Sequence, residues 1–271
     1  MPQYHFRSLW ISDLHLGTRD LQNDKLLDFL LQTESRYLYL VGDIFDLLQA
    51  RKEWHWSTVN DRIVETILAK AESGTEVIYL PGNHDHMLRK FEGCTFNNVR
   101  LQNTAIHETA DGRRYLVLHG DQFDPVVRHC PWLASTGSIL YDLLLRGNRW
   151  FKVRRRTARQ EYRTLSSWMK HQAKRMVNFI GQFEEVVSRE ATEHQVDGLI
   201  CGHIHRAGIR EIGSVLYTNT GDWVESCTAL AENENGRLGV IEWRNHQPLR
   251  EAVAVRHYED LYRHRCLASS N

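Results

Sequence analysis

The sequence predicts an α/β fold of mixed sheets covered by helices, interrupted by a helical insertion. Three features carry that expectation. Short apolar runs alternate with helical patterns through residue 80, hairpin-type turns follow at Asp111-Gly112, Gly213-Ser214 and Asn235-Gly236, and the stretch from about 125 to 194 reads as helix throughout.

The chain begins with an apolar run at 7–12, followed by a helical pattern at about 23–32 and a second run at 36–41. A helix at about 58–73 and a third run at 76–80 complete a βαβαβ beginning. From about 99 to 119 the pattern changes to two strands around Asp111-Gly112, a dipeptide suited to a tight hairpin turn. Short strands return from 196 onward, so parallel units are followed by hairpins. Within the insertion, Ile139, Leu140, Leu143 and Leu144 mark one apolar face. Tyr162, Leu165, Met169, Met176, Ile180, Phe183 and Val187 mark another, at spacings of three and four. Two or three helices are expected there. No repeat, low-complexity segment or Pro/Gly/Ser linker divides the chain, which predicts a single domain over 1–256 with the insertion at about 125–194 and a tail at 257–271.

A hydrophobic fraction of 42% with eight Trp in 271 residues is enough for a sizeable core and excludes a disordered or collagen-like chain. Lys and Arg total 34, as do Asp and Glu, which excludes a globally basic nucleic-acid binder. The charge is nevertheless uneven. Residues 146–175 hold eleven Lys or Arg against Glu161 alone. At helical periodicity Arg159, Arg163, Lys170 and Lys174 fall on one side, opposite the apolar stripe, and are candidate substrate-binding residues. A solvated helix face normally mixes both signs, and this one does not. Five cysteines without a Cys-x-x-Cys pair indicate neither a disulfide framework nor a thiolate zinc site, and fit a reducing compartment. The apolar stretch around Leu9, Trp10 and Ile11 is cut short by Asp13 and His15, unlike a signal-peptide core, and no run approaches the roughly 18 apolar residues of a membrane span. A cytoplasmic protein is expected, at most peripheral on a membrane surface.

Five apolar runs each end in a polar cluster of metal-ligand type. Leu9-Trp10-Ile11-Ser12 runs into Asp13-x-His15, and Leu38-Tyr39-Leu40-Val41 into Gly42-Asp43-x-x-Asp46. The run 77–80 ends at Gly82-Asn83-His84-Asp85, Leu116-Val117-Leu118 at His119-Gly120-Asp121, and Leu199-Ile200-Cys201 at Gly202-His203-x-His205. Any one of these is ordinary turn chemistry or a strand-end hydrogen-bonding pair. All five at strand ends are not, because sites in open α/β sheets are built where the carboxyl ends of strands converge. Asp, Asn and His without Cys suit Mn²⁺, Fe²⁺ or Zn²⁺, whereas Ca²⁺ would prefer oxygen alone. The clusters offer enough groups for two ions, and two divalent cations sharing a carboxylate lower the pKa of a bound water and clamp the oxygens of a displacement at phosphorus.

Over residues 9–205 the five blocks resemble those of the calcineurin-like metallophosphoesterases. The resemblance implies an αββα sandwich, two mixed sheets flanked by helices. It implies one ion held by Asp13, His15, Asp43 and His205, and a second by Asp43, Asn83, His119 and His203, with Asp43 bridging and manganese the leading metal ahead of iron or zinc. It also implies that His84 stands beside the leaving group as a proton donor, oriented by Asp85. Asp46 and Asp121 are expected to support the site rather than bind metal.

In length, block spacing and position of the insertion the chain is similar to the UDP-2,3-diacylglucosamine pyrophosphatases of lipid A biosynthesis, which carry a helical cap there and release UMP and 2,3-diacylglucosamine 1-phosphate. That resemblance implies a nucleotide-linked lipid as the phosphate-containing substrate, at the anionic inner face of the cytoplasmic membrane, with no obligate nucleic-acid partner. One block departs from it: where that family reads Asn-Arg-Asp, this chain has Asn83-His84-Asp85, the wording of general metallophosphoesterases. Two other readings stay open. A nucleotide or nucleic-acid phosphodiesterase would use the basic helix as a backbone track and bind with steep salt dependence. A non-catalytic scaffold would not need the intact His84-Asp85 pair.

Overall fold

In the computed structural model of this chain, residues 2–48, 54–123 and 185–244 are described. The chain divides into two compact units, one of residues 1–121 and 187–271 and one of residues 122–186. Nearly all of the second lies outside the described residues, as do the insertion faces named above up to Phe183 and the tail at 257–271.

The first unit opens with β1 (Tyr4–Ile11), α1 (Asn23–Gln32), β2 (Thr33–Val41), α2 (Thr58–Glu72) and β3 (Glu76–Leu80). The alternation along these strands explains why they form a buried sheet. Leu9, Ile11, Leu38, Leu40, Val77 and Tyr79 point to one face, where they pack with Leu26, Phe29 and Leu30 of α1 and Ile63 and Ile67 of α2. The residues between them, Trp10, Tyr39, Val41, Ile78 and Leu80, point to the other face and pack with Tyr115, Val117 and Ile200 of a second sheet. Apolar residues on both faces leave no side for water, which accounts for the near-continuous apolar runs. Ser57 ends the loop before α2 and its hydroxyl accepts the Asn60 amide, an N-cap that starts the helix. No loop separates α1 from β2: Thr33 closes the helix by donating its hydroxyl to the Phe29 carbonyl at 2.7 Å and begins the strand.

The stretch from 99 to 119 holds one strand more than its pattern suggests. β4 (Thr95–Phe96) and β5 (Val99–Leu101) extend the first sheet, and only then do β6 (Ala105–Glu108) and β7 (Arg114–Val117) form the hairpin around Asp111-Gly112 in the second sheet. The chain changes sheets within three residues, a switch that neither flanking pattern encodes. A helix over 185–194, with Val187 and Ala191 buried, leads to β8 (Gly198–Cys201). β9 (Gly208–Ile212) and β10 (Val215–Asn219) turn at Gly213-Ser214, and β11 (Thr228–Glu232) and β12 (Leu238–Glu242) at Asn235-Gly236. The sheets run β12-β11-β1-β2-β3-β5-β4 and β6-β7-β8-β10-β9. Both are mixed, and β1, β2, β3, β7 and β8 deliver their C-terminal loops to one region between them.

Candidate metal centre

Three of these loops, those after β1, β2 and β8, leave their strands in a conformation that turns side chains inward. Asp13, His15, Asp43, His203 and His205 all have φ between 52° and 69°, the left-handed region that side-chain-bearing residues seldom occupy. Such strain persists only where surrounding structure over-determines it, and here backbone hydrogen bonds lock the loops to one another. The Asp13 amide donates to the Gly42 carbonyl at 3.0 Å, the His15 amide to Asp43 at 2.9 Å and the Gly202 amide to His119 at 2.9 Å. Two glycines leave room for the His119 and Asp43 side chains. A Cβ on Gly42, where φ is +77°, would lie 2.2 Å from Nδ1 of His119, and one on Gly82 would lie 2.3 Å from Oδ1 of Asp43.

Among the described residues, besides an overlapping set of His15, Asp46 and His84, two further groups of potential ligand atoms gather at this point, Asp13 with His15 and His205, and Asp43 with His119 and His203. Asp43 lies between them, its Oδ2 4.0 Å from Nε2 of His15 and 3.4 Å from Nε2 of His119. Asn83 joins the second group, with Oδ1 3.1 Å from Nε2 of His119. Asp13 brings Oδ1 within 3.2 Å of Nε2 of His205.

The donor set fits divalent cations. Asp13 Oδ1 and His15 Nε2 are buried and make no hydrogen bond, a costly arrangement for polar atoms with nothing to bind. Nδ1 of His119 donates to the Val41 carbonyl at 2.9 Å, so Nε2 carries the lone pair of the neutral ring toward Asp43 and Asn83. With that ring neutral, three acceptors would face one another, a conflict that either a proton on Nε2 or a metal cation among them relieves. The electrostatics agree. Burial by itself would raise the Asp43 carboxyl, but the hydrogen bond and charge of His119 and the His84 amide hold it well below the ordinary carboxylate range. Asp13 is lowered in the same way, burial being outweighed by the His205 ring and His119. Burial works against charge on His119 too, yet Asp43 and Asp13 push it up to about 9. The field that favours a proton on that ring equally favours a metal ion beside it.

His84 has a different partner from the one expected. Asp85 does not orient it. The Asp85 carboxylate is 0% exposed and is consumed by the Gly82 amide at 2.6 Å, the Ile44 amide at 2.9 Å and the Tyr79 hydroxyl. It therefore ties the loop after β3 to the loop after β2. The carboxylate facing His84 is that of Asp46, with Oδ1 2.9 Å from Nδ1 of His84 and Oδ2 3.2 Å from Nδ1 of His15. The physical reason is directional: neighbouring side chains in a turn diverge, while Asp46 arrives from the adjacent loop. Asp121 takes a bidentate hydrogen bond from Arg89 at 2.8 and 2.9 Å, and Arg89 also reaches the Pro81 carbonyl. Residues unmarked by the sequence reading complete the surroundings: Ser12, Thr220 and Asn219 reach the loops that carry Asp13 and Gly202. Arg159, Arg163, Lys170 and Lys174 lie outside the described residues.

Two mixed sheets flanked by helices, with His/Asp groups suited to metal at the strand ends, define the class of metal-dependent phosphoesterases. The chain belongs to the calcineurin-like phosphoesterases, which it matches over residues 6–207, and is a hydrolase of a family that uses divalent metals. It is similar to the UDP-2,3-diacylglucosamine hydrolase of Haemophilus influenzae (strain PittGG), 26% identical over 250 residues that cover 87% of this chain and 98% of the relative. The enzyme of the same name from Actinobacillus succinogenes is 28% identical over 240 residues, covering 83% and 94%. Among solved structures, YfcE, a phosphoesterase from E. coli, is 15% identical with a TM-score of 0.46, covering 92% of this chain and 99% of that one. Among the described residues no helix is long and apolar enough to cross a membrane.

Proposed function

We propose that the protein is a dinuclear-metal hydrolase of a phosphoanhydride, acting on UDP-2,3-diacylglucosamine or a close relative of it. The observation that carries the dinuclear reading is the position of Asp43, whose Oδ2 stands 4.0 Å from His15 Nε2 of one ligand group and 3.4 Å from His119 Nε2 of the other. In this reading Asp13, His15, Asp43 and His205 hold one ion and Asp43, Asn83, His119 and His203 the other. Manganese suits that mixture of oxygen and imidazole donors. Divalent cations there would lower the pKa of a bound water and polarise the phosphoryl oxygens. The chain's own groups do the rest. His84, with Nδ1 against Asp46, keeps Nε2 for the substrate, where it donates a proton to the departing oxygen or offsets its charge. Asp46 orients that ring, and Asp85 fixes the two loops that carry His84 and Asp43.

The substrate reading is supported by the diacylglucosamine hydrolases to which the chain is similar over most of its length. In the same reading residues 125–194 form a cap, and Arg159, Arg163, Lys170 and Lys174 grip a diphosphate or an anionic lipid surface. A second reading, a phosphodiesterase of another substrate, is favoured by one feature: His84 stands where the diacylglucosamine family has a permanent guanidinium. A single comparison separates them. Mn²⁺-loaded protein is given UDP-2,3-diacylglucosamine, a cyclic nucleotide and a generic phosphodiester. Fastest turnover of the lipid nucleotide is expected, and its complete resistance would end the lipid assignment.

A further inference from the structure

Asp13 presents two oxygens to two different environments. Oδ1 makes no hydrogen bond and faces His205, as noted above. Oδ2 accepts the Ser12 hydroxyl and the His203 amide, the latter at 2.9 Å. Behind Ser12 stands Thr220, from the loop that follows β10, with the two hydroxyl oxygens 2.6 Å apart and both residues at 0% exposure. Each hydroxyl has one proton, and one assignment serves both. Thr220 has a competing acceptor in the Cys201 carbonyl at 3.3 Å, and Ser12 has one in the Gly221 carbonyl at 3.0 Å. A carboxylate is the stronger acceptor, so Ser12 donates to Asp13 and Thr220 donates to Ser12. Gly202 allows this convergence: a Cβ there would lie 2.6 Å from Oγ of Ser12 and 2.7 Å from Oδ2 of Asp13. Thr220 is itself anchored, its amide donating to Cys201 at 2.9 Å and its carbonyl accepting the Thr228 hydroxyl at 2.8 Å.

We infer that the Ser12 and Thr220 hydroxyls form a relay that sets the metal affinity of the position built on Asp13, by holding its carboxylate so that Oδ1 is left as the ligand oxygen. Both are positioning residues. The inference rests on Asp13 being a metal ligand, and it extends that reading to a loop that contributes no ligand of its own. Relays of this kind act selectively. The ligand group around Asp43, His119 and His203 meets Asp13 through the His203 amide, from the loop after β8.

The test is Mn²⁺ binding by chelator competition on the full chain, resolving the two equivalents, with melting of the metal-free protein as a control for folding. Thr220→Val keeps the shape and removes the proton; Thr220→Ser keeps the proton and removes the methyl. In Thr220→Val and Ser12→Ala one equivalent is expected to weaken by roughly 10- to 100-fold while the other holds, and Thr220→Ser is expected to bind as the unaltered protein does. Unchanged affinity in Thr220→Val, or a loss in Thr220→Ser equal to that in Thr220→Val, overturns the relay. Failure of the unaltered protein to bind two equivalents would instead overturn the dinuclear reading.

Discussion

His84 and His15 share one carboxylate, and that sharing makes Asp46 the most informative side chain to alter. Its two oxygens lie 2.9 Å from His84 and 3.2 Å from His15, so Asp46→Asn weakens the hold on the proton donor while leaving every proposed metal ligand in the chain. Turnover is expected to fall by about 10²-fold, and His84→Ala by roughly 10²- to 10⁴-fold, with metal retained in both. Loss of metal from His84→Ala would make that ring a ligand. Asp43→Ala is the opposite case. Removing the carboxylate between the two groups strips a charged ligand from each, and elemental analysis of the purified variant is expected to show that dinuclear binding is gone. Two full equivalents of Mn²⁺ with normal activity would mean that Asp43 does not bridge.

At the scale of elements, the site is made by strand ends whose loops brace each other. Gly82 shows how tight that bracing is, since a Cβ would meet Oδ1 of Asp43 at 2.3 Å and Nε2 of His119 at 2.7 Å. Both neighbours belong to buried residues held from behind, Asp43 by the His84 amide at 2.8 Å and His119 by the Val41 carbonyl, so neither can yield cheaply. Gly82→Ala is therefore expected to cost about 1–3 kcal/mol of stability and to weaken metal binding at Asp43 and His119, measured by melting and by metal titration. A variant with unaltered affinity would show that the loop after β3 can relax away from the site. The run Leu38 to Val41 and Asp43 lie next to each other in sequence, as do the other four runs and their clusters, so each strand and the polar groups at its end could be read together from the chain. The sheet switch between Leu101 and Ala105 could not, because three residues carry no periodicity.

At the scale of the whole molecule, a second polar cluster links the two sheets. Glu232 of β11 in the first sheet is 0% exposed and accepts from Arg7 at 2.8 and 2.9 Å, from Ser8 at 2.6 Å and from the Ala110 amide at 2.7 Å. It also meets Nε2 of His107, on β6 of the second sheet, at 2.8 Å, while Nδ1 of that ring lies 3.0 Å from the Tyr39 hydroxyl of β2. Burial would raise the Glu232 carboxyl, but His107, Ser8 and the Ala110 amide outweigh it and hold it below the ordinary range. The linkage has a definite sign. A depressed carboxyl contributes fully above the unfolded glutamate value of about 4.3, and that contribution is lost as pH falls through the lower folded value, because the unfolded chain takes up the proton first. Glu232→Gln is expected to cost roughly 2 kcal/mol at neutral pH and to flatten the acid limb of the stability curve. A variant whose stability falls with acid as steeply as the parent's would place the acid sensitivity elsewhere.

Legible from the chain alone were the αβ alternation, the five clusters and hence the phosphoesterase class, because a strand's period and the residues at its end are local properties that survive without knowledge of what packs against them. Legible too were the turns at Gly213-Ser214 and Asn235-Gly236, where the dipeptide and the hairpin coincide. Tertiary structure alone decided the pairings. The family resemblance implies Asp85 as the partner of His84, yet Asp85 turns to the Gly82 and Ile44 amides and Asp46 crosses from another loop. Ser12 and Thr220 stand 208 residues apart and carry no motif, and they meet only because β1 and β10 bring their loops to one place. Such contacts are settled by which surfaces the sheets bury and by the need to satisfy each polar group so enclosed, and both are properties of the packed molecule rather than of any stretch of sequence.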